Sequence, residues 1–431
     1  MSVAESALPG IEAGRVERWL AEHVDGLAGP VEFGLVSGGR SNLTYRLTDA
    51  AGVNYALRRP PTGGVLSTAH DVSREWRFIS ALAPTAVPVP PPVAYCADST
   101  VTGAKFYVMG FVEGLVLADR AAGLALARQA RASAAEHLVD VLVALHALDP
   151  VVVGLGDMVR KTGYVERQLR RWHAQVHATG APELALLDEV HDLLARRVPA
   201  QSGGIVHGDY RAGNVAFGPD GAVRAVFDWE LATTGDPMAD LGWLASTWQD
   251  PGEQLPPTTP GPSTVAGFPA RAQLVRRYAR LSGRDVSNLP YWVAFSRWRS
   301  ACIGVGVRAR YLAGHMADDG FAAGLLTSAE PGAAGGRVVL AEAARDALRA
   351  AGLLPLLSRQ LTRSEGMAWD FSTDPQFQRK LDWVGRFCRE KVEPLDYVFP
   401  HAVRWPDPVV KAYVRELQQE VKDQGLWAIF L

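Results

Sequence analysis

Apolar residues at helical spacing open the chain. Ile11, Val16, Leu20 and Val24 share one face and predict a helix over 10–25. The pattern then shifts to strands. "VEFGLV" and "LTYRLTD" flank the polar, glycine-bearing turn "SGGRSN", and "NYALRRP" is a third strand stopped by Pro60 and Pro61. "AHDVSREWRFISALA" is an intervening helix with Val72, Trp76, Ile79 and Leu82 on one face, and "KFYVMGFVEG" is a further strand ending near Gly114. Beyond it the 3.6-residue period dominates: "SAAEHLVDVLVALHALDP", the region 164–199, "ARAQLVRRYARLSG", "YWVAFSRWRSACIGVGVRARYL" and "VVLAEAARDALRAAGLL" all read as helices. Two β segments lie among them, "GGIVHGD" and "AVRAVFDWE". They are joined across "NVAFGPDGAV", where Pro-Asp-Gly marks a tight hairpin turn. "PGEQLPPTTPGPSTVAGFP" is a loop. The expected class is α+β: an antiparallel β lobe with one inserted helix, then a helical lobe holding a small hairpin, with room for a ligand between them.

Composition narrows the setting. A chain of 431 residues has room for two or three domains, and its 48% hydrophobic content can fill a large core. A formal net charge of -2 gives no global reason to bind nucleic acid or a membrane surface. Cys96, Cys302 and Cys388 are far apart, lack metal-ligand spacing, and fit packing roles in a reducing compartment. The N-terminus "MSVAESALPGIEAGRVERWL" carries early acids without an apolar signal region, and no apolar run approaches ~18 residues. These features predict a cytoplasmic protein without membrane insertion.

The chemistry concentrates in "HGDYRAGN", residues 207–214, directly after the apolar step "GGIV". Asp209 and Asn214 sit in the loop, and Asp228 in "FDWE" closes the second β segment. A carboxylate, an amide oxygen and a second carboxylate thus fall within one hairpin's reach. Oxygen donors of this kind suit Mg²⁺, which binds through one or two carboxylates plus substrate phosphates. The alternative reading of the same residues is a polar hairpin rim.

Together, "HGDYRAGN", "FDWE" and "GDPMADLGW" resemble the aminoglycoside phosphotransferase family of kinase-like enzymes. The protein-kinase loop His-Arg-Asp-x4-Asn keeps the same spacing, with Gly208 here in place of the arginine. The resemblance implies a bilobal protein-kinase-like fold that uses ATP and Mg²⁺ to phosphorylate a small molecule. It implies that Asp209 orients the acceptor hydroxyl and takes its proton, and that Asn214 and Asp228 hold Mg²⁺ against the phosphates. Arg211 would contact the γ-phosphate. Gly38, Gly39, Ser41 and Asn42 of "SGGRSN" would cover the phosphates through backbone N–H groups. Arg58 of "YALRRP" stands where kinases carry a lysine, with Glu75 of "SREWRF" as its partner. The backbone at Gly110, Phe111 and Val112 would meet adenine. An arginine fork is wider than an ammonium, which keeps a nucleotide-binding pseudokinase or scaffold as the alternative. Outside the motif set, Arg58 and Glu75 would read as a surface ion pair. His207 reads as structural, Asp236 and Asp240 as scaffolding that braces the catalytic loop, His146 and Asp149 as a helix ending, and Tyr210 and Ala212 as spacers.

Two features bear on the acceptor. From Gly267 to His315 there are nine arginines (Arg271, Arg276, Arg277, Arg280, Arg284, Arg297, Arg299, Arg308, Arg310) and one acid, Asp285. A polycationic aminoglycoside would need an acidic pocket, so the bias favours an anionic acceptor; the other account is solvated helix faces. "MAWDFSTDPQFQRKLDWVGRFCREKVEPLD" and "LQQEVKDQGLWAIFL" resemble the first helices of an acyl-CoA dehydrogenase. "GGRSNLTY", "LRRPP", "SREWR" and "HGDYRAGNVAF" resemble the kinase-like subgroup fused to such enzymes. That resemblance implies a hydroxyacyl-CoA acceptor and a separate acyl-CoA dehydrogenase as a partner. The segment 367–431 is too short for a flavin-binding domain, so neither FAD nor dehydrogenase activity is expected. The expected organisation is 1–113 as N-lobe with its leading helix, 114–355 as C-lobe with the catalytic loop and acceptor site, 356–366 as linker, and 367–431 as the truncated helical segment. A protein kinase is disfavoured because the interval from Asp228 to Asp240 is short for an activation segment.

Overall fold

Strand alternation builds the first layer. In β2 (Leu43–Thr48), Leu43, Tyr45 and Leu47 are buried and the intervening residues half-buried, the period-2 pattern of a covered sheet. In the computed structural model, β1 (Glu32–Ser37), β2, β3 (Asn54–Arg59), β5 (Phe106–Gly110) and β4 (Pro92–Cys96) form an antiparallel sheet in that order. The model describes residues 8–37, 42–62, 72–159, 163–181, 184–250, 253, 261–312 and 408–423, with single positions at 345, 383, 386, 387 and 391. Leu57, Phe106 and Val108 pack with Val16 and Leu20 of α1 (Ala13–His23). Ala56, Tyr107 and Met109 alternate with them and pack with Phe78 and Ile79 of α2 (Val72–Leu82). The sheet is thus covered on both faces by the two helices the apolar spacing predicts.

Strand β4 is an addition to the sequence reading. Its proline-rich approach, "VPVPPPVAYC", hides the alternation. β4 lies at the end of the strand order, where a missing proline N–H is tolerated. The strand expected to run to Gly114 ends at Gly110, and β6 (Leu115–Val116) pairs instead with β8 (Val215–Phe217). The small β region also differs. β8 and β9 (Val223–Val226) form the hairpin across the Pro-Asp-Gly turn. The "GGIV" strand, β7 (Ile205–Val206), pairs with β10 (Thr233–Thr234). This second pairing brings the two ends of the 207–232 segment together.

The helical lobe is assembled around α4 (Arg128–His146), whose Ala134, Ala135, Leu138, Val139, Leu142 and Leu145 are all buried. α3 (Arg120–Ala125) precedes it. The region 164–199 resolves into α5 (Tyr164–His177) and α6 (Leu184–Ala195). α7 (Met238–Thr247), α8 (Arg271–Ser282) and α9 (Leu289–Leu312) complete it. α7 packs closely on α9 because Gly242 has no side chain: a Cβ there would lie 2.6 Å from the Trp292 Cβ. Cys96 and Cys302 are buried free thiols, as expected of packing residues.

The chain divides into two compact units, Met1–Leu357 and Ser358–Leu431. In the second unit a helix spans Pro408–Asp423. The expected linker 356–366, Cys388 and, apart from Arg345, the helix of "VVLAEAARDALRAAGLL" lie outside the described residues. Among the described residues no helix is long and apolar enough to cross a membrane.

Candidate active site

β7 delivers the chain into the loop 207–214, and the loop is held by buried polar contacts. The His207 side chain is fully buried; its Nε2 lies 2.9 Å from the Phe227 carbonyl and its Nδ1 accepts the Asp209 N–H at 3.2 Å. A carbonyl only accepts and an amide N–H only donates, so the ring proton is on Nε2 and the imidazole is neutral. His207 is therefore a spacer between two loops, as the structural reading expected. Asp240, fully buried at the start of α7, accepts the N–H groups of His207 (2.7 Å) and Gly208 (2.8 Å). Asp236 accepts the Met238 N–H at 2.8 Å and the Ser202 N–H at 2.6 Å. Both acids play the scaffolding part expected of them.

Gly208 is required twice over. Its φ is +86°, and a Cβ would lie 2.7 Å from the Leu231 carbonyl oxygen. Replacing it with alanine should cost about 2 kcal/mol or more, from backbone strain plus displacement of Leu231. Thermal unfolding of Gly208→Ala against the parent reads this directly.

The loop presents its reactive groups as a pair. Asn214 Nδ2 donates to Asp209 Oδ2 at 2.7 Å and to the Asp209 carbonyl at 2.9 Å. Arg211 Nε lies 3.4 Å from Asp209 Oδ1, with the Arg211 side chain 39% exposed, so it is half-free toward solvent. Tyr210, expected as a spacer, is fully buried and donates its hydroxyl to the Leu138 carbonyl at 2.7 Å, pinning the loop to α4. The Phe227 N–H donates to the Asn214 carbonyl at 2.8 Å, which sets Asp228 beside the loop. Asp228 lies two residues beyond β9. It is the one non-glycine residue of positive φ among the described residues, at +67°. Left-handed backbone costs a non-glycine residue roughly 1–2 kcal/mol, and such positions cluster at working sites.

The sheet supplies the opposing wall. Arg58 on β3 reaches Glu75 on α2 at 2.8 Å and Asp228 at 2.5 Å. Glu75 is fully buried and also accepts from Asn42 Nδ2 (2.5 Å) and the Tyr107 hydroxyl (2.8 Å). Burial raises the Glu75 carboxyl, and Arg58 opposes that shift. Burial alone would lower Arg58, but Glu75, Tyr107, Asp228 and Glu230 outweigh it and hold the guanidinium charged. Arg58 and Glu75 are thus an interior link between sheet and helix rather than a surface ion pair.

Glu230 completes the cluster. Its carboxyl is pushed up to about 8 by burial, Asp228 and Glu75. Carboxylate oxygens of Glu75, Asp228 and Glu230 lie within 4.8 Å of one another. Sequence reasoning quoted Glu230 within "FDWE" but gave it no role; its signal was the second acid two residues after Asp228. Crowding of acids around one arginine favours a further cation. The donor set fits Mg²⁺: Asn214 commits its nitrogen to Asp209 and keeps its oxygen, and a buried Glu230 Oε2 has no hydrogen-bond partner. Hard oxygen donors are what that ion takes.

The residues expected on the nucleotide side have these contacts. Asn42, expected to cover phosphate through its backbone N–H, is buried and donates its side-chain amide to Glu75. Gly38, Gly39 and Ser41 lie outside the described residues. At Gly110–Val112 the first two amides are used within the protein, Gly110 N–H on the Pro91 carbonyl (2.8 Å) and Phe111 N–H on the Asn54 carbonyl (3.2 Å).

Five of the nine arginines in the biased segment have partners within the protein. Arg271 donates to the Trp248 carbonyl at 2.6 Å and pairs with Glu253. Arg277 makes a two-pronged pair with Asp140 at 2.7 and 2.8 Å. Arg284 donates to the His146 carbonyl at 3.0 Å. Arg297 faces Glu253 at 3.8 Å. Arg299 is buried, lies 4.0 Å over the Trp243 ring and donates to the Gly208 carbonyl at 2.7 Å. These five hold helices and the 207–214 loop together. His146 likewise does more than finish α4: its ring sits between the Tyr278 hydroxyl (2.8 Å) and Asp240 (3.4 Å).

Known proteins resemble this chain in sequence and in fold. Residues 32–281 match the model of the phosphotransferase enzyme family. Acyl-CoA dehydrogenase family member 11 of Gallus gallus is 32% identical over 446 residues, covering 97% of this chain and 54% of the relative. The chain therefore spans about half the length of the curated relatives it matches over most of its own length. A solved structure from Ralstonia eutropha JMP134, described as a candidate aminoglycoside phosphotransferase, superposes with a TM-score of 0.64 at 31% identity, covering 78% of this chain and 98% of that one. Choline kinase from Cryptosporidium parvum Iowa II superposes with a TM-score of 0.54 at 12% identity, covering 80% of this chain and 99% of that one, a likeness of fold.

Proposed function

Because the chain belongs to the phosphotransferase enzyme family, we propose that it transfers the γ-phosphoryl group of ATP to an alcohol, with a hydroxyacyl-CoA as the acceptor. The observation that carries the transfer is the Asp209–Asn214 pair set beside Asp228 and Arg58, with Arg58 fixed by buried Glu75. Asp209 accepts the proton of the acceptor hydroxyl as its oxygen bonds to phosphorus. The bond to the β,γ-bridging oxygen breaks and ADP leaves. Arg211, half-exposed beside Asp209, meets the charge on the γ-phosphoryl oxygens. Arg58 exchanges part of its contact with Asp228 for phosphate. Asn214 Oδ1 and Asp228 would hold Mg²⁺, which would supply charge neutralisation at the phosphates. Val112 N–H meets the adenine edge.

The acyl-CoA part of this reading rests on the relatives, whose names carry acyl-CoA dehydrogenase and of which this chain spans about half. A second reading, a nucleotide-binding protein with little turnover, is favoured by Arg58 in the lysine position and its 2.5 Å pair with Asp228. The test is incubation of the purified chain with ATP and Mg²⁺ against hydroxyacyl-CoAs of several chain lengths, aminoglycosides and choline, read by acceptor mass. A phosphorylated hydroxyacyl-CoA is expected. Transfer to aminoglycosides or choline alone would replace the acceptor, and ATP binding without transfer to any of them would favour the second reading.

A further inference from the structure

Ten histidines occur in the chain, and three of them crowd one patch on α5 and α6, apart from the phosphotransfer groups. His173 and His177 are four residues apart on α5, a spacing that places both side chains on one face. Asp188 on α6 points one oxygen between them: both Nε2 atoms lie 2.8 Å from Asp188 Oδ1. His191, one turn further along α6, sets its ring centroid 4.2 Å from that of His173, tilted by 30°. The His191 Nδ1 lies 3.1 Å from Asp192 Oδ1. A carboxylate at that site makes Nδ1 the protonated nitrogen and leaves the lone pair on Nε2.

We propose that His173, His177 and Asp188 bind a divalent cation of the Zn²⁺ class, with His191 or water in the fourth position, and that the ion clamps α5 to α6. Two imidazoles from one helix face plus a carboxylate from its neighbour form a borderline donor set. It selects Zn²⁺, Ni²⁺ or Cu²⁺ over the hard ions Mg²⁺ and Ca²⁺. Ligand atoms of the three residues already lie within 4.8 Å of one another. Metal–ligand distances of about 2.0–2.2 Å in a tetrahedron put neighbouring donors roughly 3.3–3.6 Å apart, so each Nε2 must move about 0.5–0.8 Å further from Asp188 Oδ1. His177 and Asp188 are each 40% exposed, which leaves the ion an entry path without opening the core.

The site lies at the far end of α5 from the contact that helix makes with β10. Arg167, near the start of α5, approaches the Thr234 carbonyl at 3.5 Å. His177 is ten residues further along that helix, about 15 Å at 1.5 Å per residue. The ion would therefore hold the helical hairpin rather than act on substrate.

Untagged full chain, stripped of metal, is titrated calorimetrically with Zn²⁺ and with Ni²⁺ in excess Mg²⁺. One ion per chain is expected, with micromolar or tighter affinity and a raised melting temperature. His173→Ala and His177→Ala should each weaken binding roughly tenfold or more and abolish the metal-induced rise, while their metal-free melting stays near the parent's. His137→Ala, on α4, should change neither. Absence of saturable binding would overturn the proposal, as would binding that survives the double alanine variant. Competition by Mg²⁺ would also overturn it, because the ion would then sit among the carboxylates of the phosphotransfer site.

Discussion

Asp209→Asn should lower phosphoryl transfer by about 10²–10⁴-fold, the usual contribution of a positioned general base, while ATP affinity stays within about twofold. The substitution keeps the shape and one acceptor oxygen, so the contact from Asn214 can persist. What it removes is the charge that takes the acceptor proton and half of the pairing with Arg211. Loss should therefore fall on kcat rather than on the nucleotide's KM. Steady-state kinetics with the acceptor found by the panel separates the two. A variant that kept full kcat would remove Asp209 from the proton-transfer step and leave the Arg58–Asp228 wall as the part to explain. Arg211→Ala is the companion variant: Asp209 loses its neighbouring cation, and on the proposed mechanism the γ-phosphoryl oxygens lose a charge-assisted contact.

The parts of the site legible in the sequence are those encoded by local spacing. Asp209, Asn214 and Asp228 lie close along the chain, so a short loop and a tight hairpin bring them near one another, although distant Asp240, Leu138 and Arg299 hold the loop in place. Arg58 and Glu75 were legible through resemblance alone, since their meeting depends on α2 packing against β3. What spacing could not carry is the commitment of each group to a partner. Arg277 reads as a free charge until Asp140, 137 positions earlier, is seen against it. Gly110 and Phe111 read as available amides until β4 and the start of β3 bring the Pro91 and Asn54 carbonyls to them. Tyr210 looks like filler between two polar residues until its hydroxyl is found 2.7 Å from the Leu138 carbonyl, 72 positions away. In each case the sequence shows a donor, and only long-range packing shows that the donor is already used. Strand β4 escaped for a different reason: its prolines break the alternation that identifies a strand, and edge position is a property of the finished sheet.

Asp240→Ala should be the most destabilising single change near the site. Asp240 is fully buried, and its two oxygens accept the N–H groups of His207 and Gly208 while His146 approaches at 3.4 Å. Removing the carboxylate strands two buried amides at about 1–3 kcal/mol each, so a loss of about 3–5 kcal/mol and a fall in Tm on the order of 10 °C are expected. Asp240→Asn keeps one acceptor oxygen and should fall between the parent and the alanine variant. The pH dependence distinguishes this network from simple packing. Burial holds His146 below its ordinary value despite Asp240, so its fold-stabilising neutral form is lost to protonation of the unfolded chain as pH falls below about 6.5. Burial would raise Asp240, but His146 and the Gly208 N–H outweigh it and hold the carboxyl low; that contribution disappears as pH falls through the carboxylate range near 4. The parent should therefore lose stability in two acid steps. In Asp240→Asn the lower step is absent. The upper one extends to lower pH, because His146 has lost the neighbour that raised it. Chemical denaturation from pH 8 to pH 3.5 measures both. A parallel pH profile for the parent and Asp240→Asn would show that Asp240 braces the loop by shape alone, without its charge.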